Sequence, residues 1–418
     1  MPAIGVIFAG RMKLRTVFII WVLVQLLSAE RGFAASSEQT ALRDSAALAM
    51  RTVPSTQPAT GITADGVQAL FFTGPDYQHK PTRVFAWIGM PADSKPGQKV
   101  PAMVLIHGGG GTAFVEWVRL WNARGYAAIA MDTCGCVPIG SDNHWQRDPN
   151  GGPPGWGGFE QIDKPAADQW TYHAALDVIL AHSLMRSCPM VDAHHIGVTG
   201  ISWGGYLACI AAGLDDRFEF ACPVYGCGFL GDNSAWLGDL KAMGPVRSSQ
   251  WLKAWDPSEY LPNAKMPMLW VDGTNDVFYP LDSLEKSYVL PKGPRTLVMR
   301  VAMKHSHRDG WSPPEMGTFA DSFCGMGAPL AVITSQQTER NVLSAHYKSS
   351  RPIRTAELNF TLDRGEFSKR RWQVQPAQLL LEARTARADI PQKATAFYVN
   401  LFDDRGSIVS TDLVLARQ

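Results

Sequence analysis

The chain has 418 residues, 46% of them hydrophobic and 18% charged; it can bury one large core with a smaller one beside it, which excludes a disordered tail. Lys and Arg total 39 against 38 Asp and Glu, and they are spread along the chain, so the basic footprint of a nucleic-acid-binding protein is missing. Aromatic residues make up 10%, including 14 Trp and 18 Phe, a content that suits clefts or interfaces lined with rings.

At the N-terminus, Arg11, Lys13 and Arg15 precede an apolar run from Val17 to Val24 that continues through Leu26 and Leu27 and ends among Gly32, Ala34 and Ala35. That order is the order of a signal peptide, and the run is shorter than the roughly 18 apolar residues needed to span a bilayer. The expectation is a leader over residues 1–34 and a secreted or periplasmic protein with no stable membrane insertion after cleavage. Residues 35–62, rich in Ser, Thr, Gln, Ala and Pro, read as a flexible lead-in.

Two alternating stretches, 67–72 and 83–89, read as antiparallel strands, and 100–106 is an apolar run that ends in glycines. Strand and helix then alternate: helix 114–123, strand 126–131, helix 167–185, strand 196–199, a helix after Ser202, and strands at 218–224 and 268–271. A helix over 281–289, a strand over 296–302 and a helix from Pro314 complete the series. The alternation predicts an α/β fold over residues 63–335, with a mostly parallel central sheet and helices on both faces. Residues 134–165 interrupt it with a Gly- and Pro-rich segment too long for a connector, which reads as a functional loop. From 340 to 418 the texture changes to strand-like runs (356–362, 378–383, 396–402) parted by turns such as Asp403-Asp404-Arg405-Gly406, and a small C-terminal β-rich domain is expected.

The most informative segment is Ile196-Gly197-Val198-Thr199-Gly200-Ile201-Ser202-Trp203-Gly204-Gly205, a buried strand that runs through Gly-x-Ser-x-Gly into an apolar helix. A sharp strand-to-helix turn forces the serine into a strained conformation with its hydroxyl projecting, and glycines on either side avoid collisions. A second cluster, His107-Gly108-Gly109-Gly110-Gly111-Thr112, follows another strand. Without Cβ atoms its amides can approach a substrate oxygen, and the oxyanion hole is expected from the N–H of Trp203 with that of Gly109, or Gly110 in its place; each donor lowers an acyl-transfer barrier by roughly 3 kcal/mol.

A hydroxyl nucleophile needs a base, and the base needs a carboxylate to fix its tautomer. In the order Ser, Asp, His, Asp276 lies on the loop beyond strand 268–271, with Asp272 as the alternative, and His305 follows the last strand, with His307 as the alternative. His182, His194 and His195 fall on the far side of the sheet. Trp156, Trp170, Trp203, Tyr225, Trp236 and Trp311 fall at its functional end, where rings could stack on a sugar or another flat face. The seven cysteines, an odd number, give no disulfide framework, and Cys134 and Cys136 have no histidine cluster beside them, so neither a metal nor another cofactor is expected.

With the elbow Gly-Ile-Ser-Trp-Gly-Gly-Tyr, Asp-Asp-Arg-Phe at 215–218, Gly-Thr-Asn-Asp at 273–276 and Lys-His-Ser-His at 304–307, residues 66–325 resemble the α/β-hydrolase superfamily. The resemblance is to its dienelactone hydrolase, prolyl oligopeptidase and acetyl xylan esterase-like group. It departs from typical dienelactone hydrolases in carrying Ser202 where they carry cysteine, and from the multi-substrate acetyl xylan esterases in lacking an Arg-Gly-Gln motif. It implies an α/β-hydrolase fold and an exported serine carboxylesterase with an acylated carbohydrate or small ester as substrate. A serine peptidase of the prolyl oligopeptidase type or a dienelactone hydrolase-like enzyme is the alternative.

Overall fold

A computed structural model describes residues 35–95 and 97–416; the expected leader, residues 1–34, lies outside the described residues. In chain order the strands are β1 (Thr56–Pro58), β2 (Gln68–Tyr77), β3 (Lys80–Gly89), β4 (Val100–Ile106), β5 (Ala127–Met131), β6 (Cys136–Val137), β7 (Gln146–Arg147), β8 (Val191–Ile201), β9 (Phe220–Val224), β10 (Met268–Gly273) and β11 (Arg295–Arg300). The C-terminal part adds β12 (Val332–Glu339), β13 (Val342–Lys348), β14 (Ile353–Thr361), β15 (Trp372–Pro376), β16 (Gln378–Leu380), β17 (Thr385–Asp389), β18 (Ala396–Asp403), β19 (Ile408–Ser410) and β20 (Val414–Leu415).

The large sheet runs β1-β2-β3-β5-β4-β8-β9-β10-β11-β19-β18-β14-β15. Its middle, from β5 to β11, is parallel throughout, and the strands on either side are antiparallel. The middle strands are apolar along nearly their whole length because both faces are covered. In β4, Val104 and Ile106 enter one core while Met103 and Leu105 enter the other, the period-2 alternation of a strand. Helices Trp170–Ser187, Trp203–Leu214 and Pro245–Trp255 cover the first face; Val115–Ala123 and Pro314–Phe323 cover the second.

Residues 35–62 are not a flexible lead-in. Ser36 and Gln39 form a capping box at the start of helix Ser37–Ala49, whose Leu42, Ala46 and Ala49 lie at helical spacing and are buried. A composition rich in small polar residues concealed that stripe. The following chain adds β1 to the edge of β2.

The C-terminal strands form two structures rather than one appendage. β12, β13, β17 and β16 make a separate four-stranded sheet, whereas β19, β18, β14 and β15 extend the large sheet beyond β11. Leu297 of β11 pairs with Ser410 of β19, and Ser410 Oγ accepts the amide of Met299. A linear pattern identifies a strand but not its neighbour, so this continuity was not visible in the sequence.

Candidate active site

Ser202 sits between the last residue of β8 and helix Trp203–Leu214 with φ 59° and ψ −119°, a left-handed backbone that a residue bearing Cβ adopts only under constraint. The constraint is packing. A Cβ at Gly200 would lie 2.0 Å from the carbonyl oxygen of Gly204, and one at Gly204 would lie 2.0 Å from that of Ile106. Only glycines allow β4, β8 and the helix to approach this closely. The Trp203 amide opens the helix, where N–H groups lack helical acceptors.

The glycine loop after β4 abuts the serine: a Cβ at Gly108 would fall 2.9 Å from Ser202 Cβ, and one at Gly109 would fall 3.0 Å from Trp203 Cδ1. Several side chains shape this loop. Gly108 donates its amide to His307 Nε2 at 3.0 Å, and the Gly110 carbonyl accepts from Asn143 N and Trp145 Nε1, each at 2.9 Å. Asn143 and Trp145 belong to the long 134–165 segment, which thereby braces the glycine loop. His107 is fully buried, and its Nε2 accepts the Thr133 amide at 3.1 Å. Burial lowers His107 to about 4, so it is a neutral structural ring.

Asp276 and His305 come together. Asp276 Oδ1 accepts the amides of Phe278 and Tyr279, both at 2.7 Å, while Oδ2 lies 2.5 Å from His305 Nδ1. Asp272 is at the end of β10, wholly buried, with Oδ1 accepting the Gly273 amide. Desolvation, with the charge of Asp276 nearby, pushes its carboxyl well above the usual range. His307 is turned toward the glycine loop. Burial lowers it to about 4, which keeps Nε2 free to accept the Gly108 amide.

Tyr225, just after β9, connects these parts. Its ring centroid is 4.3 Å from that of His305, its hydroxyl donates to the Ser306 carbonyl, and the adjacent Val224 carbonyl accepts the Ser202 amide. Ser202 Oγ makes no hydrogen bond to His305 among the described residues; contacts of this kind often tighten only with substrate bound.

The aromatic residues divide by burial. Trp170, Trp203 and Tyr225 are buried and therefore pack the site from beneath instead of offering a stacking face, while Trp156, Trp236 and Trp311 are partly open. Phe278, which sequence reasoning missed, is exposed with its ring 4.5 Å from His305 and 6.0 Å from Trp236. Nothing in its local sequence distinguishes it except its place two residues after Asp276. Also missed was Asn275, whose Nδ2 donates to the carbonyls of Phe367, Ser368 and Arg370, tying a C-terminal loop to the Asp276 loop. The Asp-Asp-Arg-Phe segment lies elsewhere: Asp215 receives bonds from His182 and Arg217, and Arg217 reaches the Met50 carbonyl. This is a lock on the end of helix Ser37–Ala49.

The sheet order, the elbow and the loops at the strand ends define an α/β-hydrolase fold. Within that class it resembles the acetyl xylan esterase-like group: the acetyl xylan esterase (AXE1) family model matches residues 57–239. Among solved structures, an acetyl xylan esterase from Paenibacillus sp. R4 shares the fold at 22% identity, covering 68% of this chain and 94% of that one, with a TM-score of 0.52. Acetyl xylan esterase 1 from Thermoanaerobacterium sp. JW/SL YS485 does so at 18% identity, covering 65% and 89%, with a TM-score of 0.53. Two curated proteins are similar in sequence. Dipeptidyl-peptidase 5 of Porphyromonas gingivalis is 25% identical over 206 residues, 46% of this chain and 28% of that protein. The uncharacterized peptidase YuxL of Bacillus subtilis is 25% identical over 237 residues, 52% and 32%. The chain thus spans about a third or less of the length of these curated relatives.

Proposed function

We propose that the protein is an exported carboxylesterase that removes acyl groups, acetyl foremost, from carbohydrate through an acyl-enzyme. Ser202 attacks the ester carbonyl while His305 takes its proton, and Asp276 orients the imidazole and stabilises its charged form. The tetrahedral oxyanion is received by the amides of Gly109 and Trp203. His305 then returns the proton to the departing alcohol, and a water activated by the same imidazole releases the acid.

The observation that carries this reading is the 2.5 Å contact of Asp276 Oδ2 with His305 Nδ1, on loops beside a serine held at φ 59°. The exposed ring of Phe278 beside His305, with the partly open Trp236 next to it, suits a flat sugar face on the alcohol side. The acetyl xylan esterase family match supports acetyl as the acyl group. The similarity to two peptidases favours a second reading, cleavage of a peptide or aminoacyl amide by the same residues.

The test is acetate release from acetylated xylan, with p-nitrophenyl acetate and a panel of aminoacyl amides run alongside, for the wild type and Ser202→Ala. Cleavage of polysaccharide and small ester, both abolished in the variant, is the expected result. Cleavage of amides in preference to either ester overturns the carbohydrate reading. Activity that survives in Ser202→Ala overturns the mechanism.

A further inference from the structure

The start of the long 134–165 loop carries a cluster that the ester chemistry does not use. At the end of β5 the chain folds back over the Asp132 carboxylate, so that Oδ2 accepts the amides of both Cys134 and Cys136, at 2.9 and 2.8 Å. Gly135 between them has φ 72°, a conformation that glycine supplies without strain. One carboxylate oxygen gathering two alternate amides makes the Cys-Gly-Cys segment a tight turn, and its two sulfurs and one Asp132 oxygen lie within 4.8 Å of one another. Cys134 is buried with Sγ 3.6 Å from Asp132 Oδ1; Cys136 is half-buried and reachable from solvent. The Arg147 guanidinium donates to the carbonyls of Cys134 and Gly152.

From this arrangement we infer that Cys134 and Cys136 are a redox-active dithiol that closes to an intrachain disulfide when it meets a small-molecule disulfide. The accessible Cys136 thiolate attacks one sulfur of the oxidant and expels the other as a thiolate, giving a mixed disulfide on Cys136. Cys134 loses its proton, attacks Cys136 Sγ and expels the second small thiolate. Two protein thiols become one disulfide, and the oxidant takes up two electrons as two thiols.

The two cysteines are suited to unequal roles. The hydrogen bond from the Cys134 thiol, together with the positive charge of Arg147, holds Cys136 below the ordinary thiol range. The bond to Cys136 and burial hold Cys134 above it. An attacking thiol within reach of solvent beside a buried resolving thiol is the pairing that exchange requires. The same surroundings disfavour a bound cation: Asp132 Oδ2 is already occupied by two amides, and Arg147 brings a positive charge to Cys136.

The pair is linked to the ester site through neighbouring residues, and none of the exchange steps uses Ser202, Asp276 or His305. Thr133, next to Cys134, donates its amide to His107 at the base of the glycine loop, and its carbonyl accepts the Trp170 indole N–H at 2.7 Å. The redox inference therefore stands or falls apart from the esterase proposal.

Trypsin provides a direct reading, because cleavage after Arg124 and Arg147 leaves one peptide with Cys134 and Cys136 and no other cysteine. The folded, reduced protein is equilibrated with mixtures of reduced and oxidised glutathione, quenched by alkylation and digested. The expected result is loss of two hydrogen masses from that peptide, reversed by dithiothreitol. In Cys134→Ser the peptide accumulates a glutathione adduct on Cys136, and in Cys136→Ser it takes up none. A peptide that stays fully alkylated under oxidising glutathione overturns the inference. So does an adduct in Cys136→Ser equal to that in Cys134→Ser, or zinc retained by the reduced wild type with the peptide refusing to oxidise.

Discussion

Both oxygens of Asp276 are committed, one to the amides of Phe278 and Tyr279 and one to His305. The carboxylate therefore cannot rotate away, and the imidazole is held with Nδ1 toward the acid and Nε2 free for the proton. Asp276→Asn keeps the shape but offers the wrong partner to Nδ1, and kcat for p-nitrophenyl acetate should fall by about 10³–10⁴-fold with little change in KM. A fall of less than tenfold would remove Asp276 from the proposed mechanism. The choice of Ser202, Asp276 and His305 could be made from chain order because each follows a strand at the same edge of a parallel sheet. The part played by His307 could not: two histidines one residue apart carry no linear sign of which faces the acid and which accepts the Gly108 amide.

Three other imidazole environments give a consequence in pH. Burial lowers His107, His173 and His307 from 6.5 to about 4. In the unfolded chain they take up protons as the pH falls through about 6.5, whereas in the fold they do so only near 4. Between these values the unfolded state binds more protons, so stability rises with pH; the contribution is full above about 6.5 and is lost as the pH falls to about 4. Thermal melts from pH 7 to 4.5 should show a falling Tm, and His307→Phe should flatten that slope. Because the raised carboxyls of Asp132 and Asp272 act in the opposite sense, the deciding reading is the difference: a slope unchanged in His307→Phe contradicts the assignment of His307 as a neutral, buried ring.

Among the elements, helix Ser37–Ala49 shows how little a polar composition says about docking. Its apolar stripe lies on helix Trp170–Ser187, and its end is held by the Ser183 hydroxyl on the Ala49 carbonyl and by Arg217 on the Met50 carbonyl. Arg217 is placed by Asp215, whose side chain is wholly buried. Removing the cation leaves the buried carboxylate with only the His182 ring and the residue-217 amide as partners, a loss of up to about 3 kcal/mol. Arg217→Met should accordingly lower Tm by several degrees and make the bond after Arg51 an early site of proteolysis. An unchanged Tm would mean that His182 and that amide alone satisfy Asp215. The elbow, by contrast, was legible in full, since its glycines are demanded by backbone contacts of 2.0 Å that any sequence making this turn must meet.

At the scale of the whole molecule, the large sheet does not stop where the hydrolase pattern stops. β11 is an interior strand only because β19 lies beside it, and the second core includes Val399, Leu401 and Val409 from the C-terminal strands. The sequence pattern located β14 and β18 but not β19 or β15, and it gave no sign that any of them continues the central sheet, since pairing partners a hundred residues apart leave no mark on local periodicity. A chain ending at residue 330 would expose an unpaired parallel edge and the apolar face beneath it. It should collect in the insoluble fraction, and soluble yield with p-nitrophenyl acetate turnover measures this. A soluble, active fragment would show that the C-terminal strands are dispensable.

The pairing of Leu297 with Ser410 also has a meaning in time. Every group that the esterase reading uses, from Gly109 to His305, is synthesised before residue 310, yet the sheet edge beside β11 closes only when β19 has been made. The Asn275 anchor likewise waits for residues 367–370. At synthesis rates on the order of 5–20 residues per second the ribosome holds a complete set of reacting groups in an unfinished sheet for several seconds. A nascent chain at that stage needs a chaperone, or a membrane channel that keeps it unfolded, more than the finished enzyme does.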